Sequence, residues 1–324
     1  MHASKAQRLN FHSPNRSTAT GILLPTDPHT PKSSESANDG CDPHFFQPNF
    51  FLEAKTGFTV WPGSRLLLQS LLCELPASSN GGFDRLRYWQ GRLHNASFDD
   101  TSRSLNILEV GSGIGAVGTT LAAAGGHVVM TDLPVLVRCG MTPNLTRNCN
   151  KDQVGTENEF VTSLHPSEAE NDDEDGIGAP IAIGKGYARP TVLDWFQPVS
   201  SQLSSAVYEN IDLIVACDCI FLRKIVDPLL DTIAQIFSSN SINSTISDGT
   251  KGEPTCLFTF QKRNMNSKVF IHLEELLSNI HSRGWKVECL AWRKVVVEED
   301  GEHELYLFEL SAGERVEDGE EKKE

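Results

Sequence analysis

The feature that most constrains the fold is the stretch from Leu105 to Leu133, which reads LNILEVGSGIGAVGTTLAAAGGHVVMTDL. It begins with a short apolar run, Asn106 to Val110, that is typical of a strand. Closely spaced glycines follow, and an Ala-rich segment then has apolar residues at helical spacing until the glycines at 125–126 end it. A second strand-like run, His127 to Thr131, is closed by Asp132, whose carboxylate can accept hydrogen bonds from two ribose hydroxyls. The pattern predicts the front of a nucleotide-binding α/β domain.

The glycine loop fits the patterns of two ligand classes. Read from Gly113, it is GxGxxG with Gly115 and Gly118, the fingerprint of dinucleotide-binding domains. Read from Glu109, it is ExGxGxG, which resembles motif I of class I S-adenosylmethionine-dependent methyltransferases. The second pattern is favoured, because Gly111 directly follows the strand and GxGxxG would start too late. An acid at the strand end also suits a cationic amino-acid ligand better than a pyrophosphate.

The charge distribution argues against a nucleic-acid partner. The chain has 324 residues and a formal charge of −15, much of which lies in an acidic block at 168–175 and in the segment from Ser311 to Glu324. The remainder is mildly acidic, whereas phosphate binding needs a concentrated basic surface. No apolar run approaches the ~20 residues that a membrane span needs. We therefore expect neither nucleic acid nor membrane as a partner.

The cysteine pattern indicates reduced thiols. The eight cysteines are scattered, form no CxxC pair and are accompanied by no histidine cluster. Cys217 and Cys219 flank Asp218. Successive residues of a strand face opposite ways, so the Asp218 side chain would point away from both thiols and this triplet predicts no metal site. Reduced thiols indicate an intracellular protein, which we expect in the cytoplasm, with the nucleus as an alternative. Residues 1–44 are rich in Ser, Thr, Pro and Asn and predict a disordered tail, for which an organelle transit peptide is the less favoured interpretation.

The rest of the chain predicts alternating helices and strands, the pattern of an α/β domain. Thr56 to Leu75 predicts a helix with Pro62 in its first turn and Trp61 just before it. Residues 152–180 are acidic and predict a surface loop inserted into the domain. The last two strands lack a crossover helix between them, which predicts an antiparallel pair at the sheet edge. The other predicted elements are helices over 134–149, 226–237 and 269–282, and strands over 187–193, 211–216, 255–260, 285–290 and 304–310.

Five stretches in this order, TGFTVW, ILEVGSGIG, TDLP, VLDW and DCIF, resemble the seven-stranded lysine methyltransferases of methyltransferase family 16. The resemblance covers about Thr56 to Leu310. It implies a Rossmann-like α/β fold over residues 45–310, with helices on both faces of a mostly parallel sheet of order 3-2-1-4-5-7-6, strand 7 being antiparallel. Residues 311–324 remain as an acidic tail. The cofactor would be S-adenosylmethionine, and the substrate a lysine of a non-histone protein, such as a translation factor or chaperone.

The resemblance also implies roles for single residues. Asp218 would lie beside the transferred methyl group, where its carboxylate either holds the ammonium and orients the neutral amine or caps the loop without touching substrate. Phe221 stands where the family usually has tyrosine, so a phenolic hydroxyl is missing on the substrate side. The implied cofactor-binding residues are Trp61 as the pocket wall, Glu109, Gly111, Gly113 and Gly115 at the methionine end, Asp132 at the ribose, Asp194 and Trp195 at the adenine, and Ala216 at the end of the fourth strand.

The sequence favours an enzyme that methylates protein lysine and acts as a monomer. Phe221 keeps methylation of another nucleophile open, either a protein histidine or a small-molecule amine. A binding module without catalysis is disfavoured because the glycine loop and Asp132 are intact. A nicotinamide oxidoreductase is the least favoured function.

Overall fold

The computed structural model describes residues 6–11, 20–25, 61–75, 81–94, 104–149, 179–243, 254–262, 268–297 and 301–313. The predicted acidic loop at 152–180 and the acidic tail lie almost entirely outside these residues. Most of the predicted N-terminal tail does as well, but two of its segments, β1 (Ala6–Phe11) and β2 (Thr20–Pro25), pair as antiparallel strands. This pairing differs from the predicted disorder, because the sequence TGILLP has the apolar and β-branched residues that suit a strand.

The centre of the molecule is an eight-stranded sheet in the order β5-β6-β4-β3-β7-β8-β10-β9. The five strands β6, β4, β3, β7 and β8 are parallel, and β10 is antiparallel to both of its neighbours. The strands are β3 (Asn106–Val110), β4 (His127–Asp132), β5 (Ile181–Ile183), β6 (Gly186–Val192), β7 (Leu213–Ala216), β8 (Thr255–Lys262), β9 (Lys286–Val297) and β10 (Gly301–Ser311).

The sheet confirms the predicted fold. Without β5, its order is the predicted 3-2-1-4-5-7-6, with the seventh strand antiparallel and the last two strands paired at one edge. The short strand β5 is an addition that pairs antiparallel with β6 at the opposite edge. It follows the acidic insertion and turns back through Gly184, whose φ of 58° is readily adopted by glycine. No sequence signal predicted so short a strand.

Helices cover both faces of the sheet. They are α1 (Pro62–Leu72), α2 (Gly81–His94), α3 (Ala116–Ala124), α4, α5 (Ser205–Tyr208), α6 (Arg223–Asn243) and α7 (Leu273–Ser282). Helix α4 consists of Pro134–Leu136, a π-helical turn Val137–Met141 and Thr142–Asn148. None of the helices in the described ranges is long and apolar enough to cross a membrane.

The alternation of side chains along each strand separates two hydrophobic cores. Ile107 of β3 packs with helices α1 to α4 on one face, and its neighbour Leu108 packs with α6 and α7 on the other. The same alternation holds in β7, where Val215 and Ala216 belong to opposite cores. Strands buried on both faces are continuous apolar runs, which is why these two were visible in the sequence.

Two helices differ from their predicted bounds. Helix α6 extends further at both ends than the predicted 226–237. Helix α7 starts at Leu273 instead of residue 269, because the residues before it pair with the chain after β7. In that pairing Leu222 forms an antiparallel bridge to Phe270, and the N–H of Ile271 donates to the carbonyl of Phe221 at 3.1 Å. The segment carrying Phe221 is therefore fixed against the chain that follows β8.

Candidate cofactor and substrate site

A cavity of about 430 Å³ opens at the carboxyl ends of the parallel strands. It lies where β3 is flanked by β4 on one side and β7 on the other, which is the position where open α/β sheets bind their ligands. Its lining comes from the loops after β3, β4, β6 and β7 and from the start of α1. The lining residues are Trp61, Ser64, Glu109, Gly111, Ser112, Gly113, Ile114, Ala116, Val117, Asp132, Leu133, Leu136, Leu193, Asp194, Trp195, Phe196, Cys217, Asp218, Cys219, Phe221, Lys224 and Ile225.

The glycine loop after β3 forms the floor of this cavity. Gly111 has φ of 70°, and a side chain there would lie 2.5 Å from the Cys219 sulfur and 3.1 Å from the Trp195 ring. Only glycine lets these groups approach the loop. Gly115, at φ 80°, turns the chain into α3, and a Cβ there would meet Met130.

Glu109 lies beneath the loop and caps α3. Glu109 is only 2% exposed, and its Oε2 accepts a hydrogen bond from the N–H of Gly118 at 3.0 Å. A Cβ at Gly118 would lie 2.4 Å from that oxygen, so this glycine is required by Glu109 and not by a dinucleotide. Burial raises the pKa of Glu109 to about 7, with a smaller contribution in the same direction from Asp132. The site therefore holds a carboxyl group whose charge is easily lost.

Asp132 ends β4 and is bound to the loop. Its Oδ2 accepts from the N–H of Gly113 at 2.7 Å, and its Oδ1 accepts from the N–H of Leu133 at 2.8 Å. Burial raises the pKa of Asp132 to about 6, against the opposing effect of these two hydrogen bonds. Both bonds hold the carboxylate in the cavity, and each oxygen has lone-pair capacity for a further donor such as a hydroxyl.

The loop after β6 brings Asp194 and Trp195 to the same cavity. The Asp194 carboxylate accepts from the N–H of Phe196 at 2.9 Å, and Gln202 binds both the backbone N–H and the carbonyl of Asp194. The turn presents Phe196 at the mouth, where it is 63% exposed. The buried indole nitrogen of Trp195 has no hydrogen-bond partner within the described ranges. A ligand heterocycle could accept from it.

Asp218 and Trp61 meet at the other wall of the cavity. Trp61 immediately precedes α1 and lines the cavity. The Asp218 carboxylate accepts from the backbone N–H groups of Gly63 at 3.1 Å and Ser64 at 2.8 Å. Asp218 therefore caps a helix that is distant in sequence. The sequence did not predict this contact with α1, and the two roles left open for Asp218 stay predictions.

Most of the residues that the sequence singled out line this one cavity. The two exceptions are Gly115, which shapes the turn into α3, and Ala216, which is fully buried in the core at the end of β7. Phe221 also lines the cavity. Phe221 and Asp218 both lie in the segment that follows β7, as predicted.

The sequence did not predict several apolar and polar wall residues. Leu133 and Leu136 follow the acid that ends β4, and the Leu-Pro after Asp132 was the available signal for this wall. Lys224 lies in the first turn of α6 and is the only lysine or arginine among the lining residues. No signal marked it.

The two cysteines around Asp218 have structural roles. Cys217 packs into one core and Cys219 into the other. Strand alternation would place residues two apart on the same face, but the strand ends at Ala216 and the positive φ of Asp218 breaks the alternation. The Cys219 thiol donates to the carbonyl of Val110 at 3.1 Å, and burial raises the pKa of both thiols. Among the described residues no cluster of three or more His, Cys, Asp or Glu side chains could hold a metal ion.

The lining residues fit S-adenosylmethionine. The cavity has the size of small-molecule sites, and a mixture of apolar walls with few polar groups is usual for them. Four carboxyl groups, those of Glu109, Asp132, Asp194 and Asp218, line it against the single ammonium of Lys224. This excess of negative charge suits a cationic sulfonium with an amino-acid end and disfavours a pyrophosphate. The dinucleotide interpretation of the glycine loop is thus not supported.

Comparison with known proteins gives a family match. A family model described as lysine methyltransferase matches residues 53–172 and 179–276, which is more than half of the chain. The matched ranges contain the whole glycine loop and the cavity residues from Trp61 to Ile225. No curated protein sequence matches the chain significantly.

Solved structures with a related chain path are distant in sequence. Magnesium protoporphyrin IX methyltransferase from Synechocystis PCC 6803, with bound S-adenosylhomocysteine, is 10% identical with a TM-score of 0.42, over 83% of this chain and 97% of that one. An S-adenosylmethionine-dependent methyltransferase from Methanosarcina mazei is 13% identical with a TM-score of 0.38, over 68% and 97%. A proposed transferase from Pyrococcus horikoshii is 13% identical with a TM-score of 0.35, over 69% of this chain and 63% of that protein.

Proposed function

Because this chain belongs to the family of lysine methyltransferases whose model it matches, we propose that it methylates lysine side chains of a non-histone protein. The chain is a methyltransferase, and its cofactor is S-adenosylmethionine. The lysine substrate is the proposed part, and it is supported by the family description and by the charge and shape of the cavity.

The observation that carries the proposal is the set of four carboxyl groups around one cavity. Their negative potential attracts cations, and both the sulfonium cofactor and a lysine ammonium are cations. The lining is also partly aromatic, because it includes Trp61, Phe196 and Phe221. An apolar mouth can accept the methylene stem of a lysine while its charged end points inward.

Catalysis in such a site depends on alignment. When bound, S-adenosylmethionine supplies an activated methyl group on a positively charged sulfur, so the protein has mainly to position the nucleophile. A lysine amine has an ordinary pKa of about 10.4 and must be neutral to attack. Desolvation lowers the pKa of an amine. The ring of Phe221 contributes to this desolvation at the mouth, and it does so without the hydroxyl that tyrosine would add.

A second candidate is methylation of another nucleophile, a protein histidine or a small-molecule amine. The specific observation in its favour is Phe221, which lines the cavity and has no hydroxyl group. A phenyl ring suits a substrate that needs no hydrogen bond from a tyrosine hydroxyl at this position. A non-catalytic binding module is disfavoured, since the hydrogen bonds from Gly113 to Asp132 and from Gly118 to Glu109 keep the glycine loop intact at the cavity.

The test is a methyl-transfer assay with labelled S-adenosylmethionine on lysate from cells that lack the enzyme. The matched control is Asp132→Ala, which removes the carboxylate that we assign to the ribose. We expect labelled protein that yields methyl-lysine on hydrolysis, and at least ~10-fold less label with the control variant when the cofactor concentration is well below saturation. Label recovered in methyl-histidine or in a small molecule would replace the lysine proposal by the second candidate. S-adenosylhomocysteine, and not NAD, should raise the melting temperature.

A further inference from the structure

We propose that Asp218 is a positioning residue: it caps α1 and thereby holds Trp61 as a wall of the cofactor cavity, instead of contacting the substrate amine. The inference concerns cofactor binding and rests on the proposed function only for the identity of the substrate. The role is distinct from that of a carboxylate that orients lysine, because it acts through the helix.

Helix α1 depends on a cap that is remote in sequence. Its N-cap residue is Trp61, which has no side-chain oxygen and makes no capping hydrogen bond. Pro62 lacks an N–H, so the first N–H groups that need an acceptor are those of Gly63 and Ser64. Asp218 accepts both, at 3.1 Å and 2.8 Å, and a carboxylate at a helix N-terminus is also favoured by the helix dipole.

The backbone around Asp218 is arranged for this contact. Asp218 has φ of 57°, the only positive φ of a non-glycine residue within the described ranges. Its N–H donates to the hydroxyl of the fully buried Thr259 on β8 at 2.9 Å. The left-handed conformation is unfavourable for most residues and tolerated by aspartate, and such outliers persist where the surroundings hold them. The buried threonine supplies this hold.

Helix α1 approaches Asp218 and Thr259 closely. A Cβ at Gly63 would lie 2.2 Å from the Thr259 hydroxyl and 2.3 Å from the nearer Asp218 oxygen. Glycine at the second position of the helix is therefore needed for the helix to reach the carboxylate. Three elements meet at this point: the start of α1, the segment just after β7 and the middle of β8.

The cap therefore links the segment after β7, which carries Asp218, to Trp61 in the wall of the cofactor cavity. Trp61 lies directly before the capped amides and lines the cavity, and Ser64 in the first turn lines it as well. Loss of the cap frees the first turn of α1. Trp61 then no longer holds one position against the cofactor.

The test compares Asp218→Asn with wild type in the presence and absence of S-adenosylhomocysteine. Asparagine tolerates the left-handed backbone and offers only one acceptor oxygen for two N–H groups. The readouts are hydrogen exchange at the amides of residues 63 and 64, ¹⁹F resonances of the five tryptophans labelled with 5-fluorotryptophan, and calorimetric affinity for S-adenosylhomocysteine. The Trp61 resonance is assigned with Trp61→Phe. Because no substrate is added, these readouts do not depend on the lysine proposal.

If the proposal holds, exchange at the two amides accelerates at least ~10-fold in Asp218→Asn, in line with the loss of a charge-assisted hydrogen bond. The Trp61 resonance shifts or broadens, and affinity for S-adenosylhomocysteine falls several-fold. In turnover assays the KM for cofactor rises more than kcat falls. A loss of kcat of ~10² or more with unchanged exchange, resonance and affinity would overturn the proposal in favour of direct contact with the amine. Wild-type values throughout would overturn it too.

A second variant keeps the test decisive if Asp218→Asn folds poorly. Gly63→Ala keeps the charge of Asp218 but breaks the present cap, because the new Cβ would lie 2.3 Å from the nearer carboxylate oxygen and the two groups must separate. The positioning role predicts the same changes in exchange, Trp61 resonance and affinity, whereas direct contact with the amine predicts none. Asp227→Asn is the matched control, because it removes a surface carboxylate of α6 whose partner is Arg283. It should leave every readout at the wild-type value.

Discussion

Replacing Glu109 by glutamine measures what the buried carboxyl beneath the glycine loop costs the folded protein. Burial raises its pKa from the ordinary 4.5 to about 7. Between these two pH values the folded chain keeps a proton that the unfolded chain has lost. The free energy of unfolding therefore falls as the pH rises through this window, by up to about 3 kcal/mol at 1.36 kcal/mol per pKa unit.

Glutamine is neutral at every pH and keeps an oxygen for the N–H of Gly118. Its amide N–H₂ needs a new partner, which offsets part of the gain. We expect Glu109→Gln to be more stable than wild type by about 1–2 kcal/mol at pH 8 and equal or less stable at pH 5. Asp132, whose pKa is also raised, keeps a smaller slope of the same sign in the variant.

The assay is urea unfolding of the cofactor-free protein at pH 5, 6, 7 and 8. The matched control is Glu302→Gln, an exposed glutamate paired with Lys294, which should follow the wild-type pH slope. Equal slopes for Glu109→Gln and wild type would refute the argument that burial sets this pKa. At pH 8, where Glu109 is ionised, the same variant should bind S-adenosylmethionine at least ~10-fold more weakly, at about 1.4 kcal/mol per decade, because the cavity has lost a negative charge.

Three further predictions address the loop, its acid and an anchor of the fold. Asp132→Ala should lower cofactor affinity at least ~10-fold by calorimetry, since each charge-assisted hydrogen bond contributes roughly 1.5–3 kcal/mol; unchanged binding would remove it from the ribose site. Gly118→Ala should lower the free energy of unfolding by about 1–3 kcal/mol in urea, because its Cβ would clash with Glu109. The control Gly91→Ala, with open space around it, should instead stabilise by roughly 0.5–1 kcal/mol, and equal effects would contradict the clash. Glu309→Ala should lower the free energy of unfolding by about 2–3 kcal/mol in the same assay. This is near the lower end for a buried pair, because the partner, Arg85 on α2, is 42% exposed. No loss of stability would mean that the pair is dispensable.

Much of the fold could be predicted because the central strands are buried on both faces. Runs such as Asn106–Val110 and Leu213–Ala216 stand out as continuous apolar segments, and the glycines at 125–126 mark the end of α3. The order of the strands and the direction of the seventh came from the family resemblance. The start of α7 was predicted too early, because its true limit depends on a bridge between Leu222 and Phe270 that local periodicity does not reveal.

The candidate site was predictable where a residue's place in the loop fixes its role. Gly111 and Asp132 are in this class, since strand ends converge at one edge of a parallel sheet. Partners distant in sequence could not be predicted. The contact of Asp218 with Ser64 spans 154 residues. The bond from Gly118 to Glu109 gives Gly118, the last glycine of the GxGxxG pattern, a role that the pattern did not suggest.

The position of β10 inside the sheet has a consequence for the order in which the chain can assemble. β9 leaves the ribosome first, yet in the described sheet it pairs only with β10, which is synthesised after it. Until β10 emerges, β9 is a long strand with both backbone edges open, which is a state prone to misassociation. The hydrogen bond from Arg85 on α2 to Glu309 on β10 spans 224 residues, and it too can form only after β10 has been synthesised. A stop before Gly301 would therefore remove two strands from the sheet and the anchor of α2, and would leave β8 as an open edge beside the strands that carry the cofactor cavity.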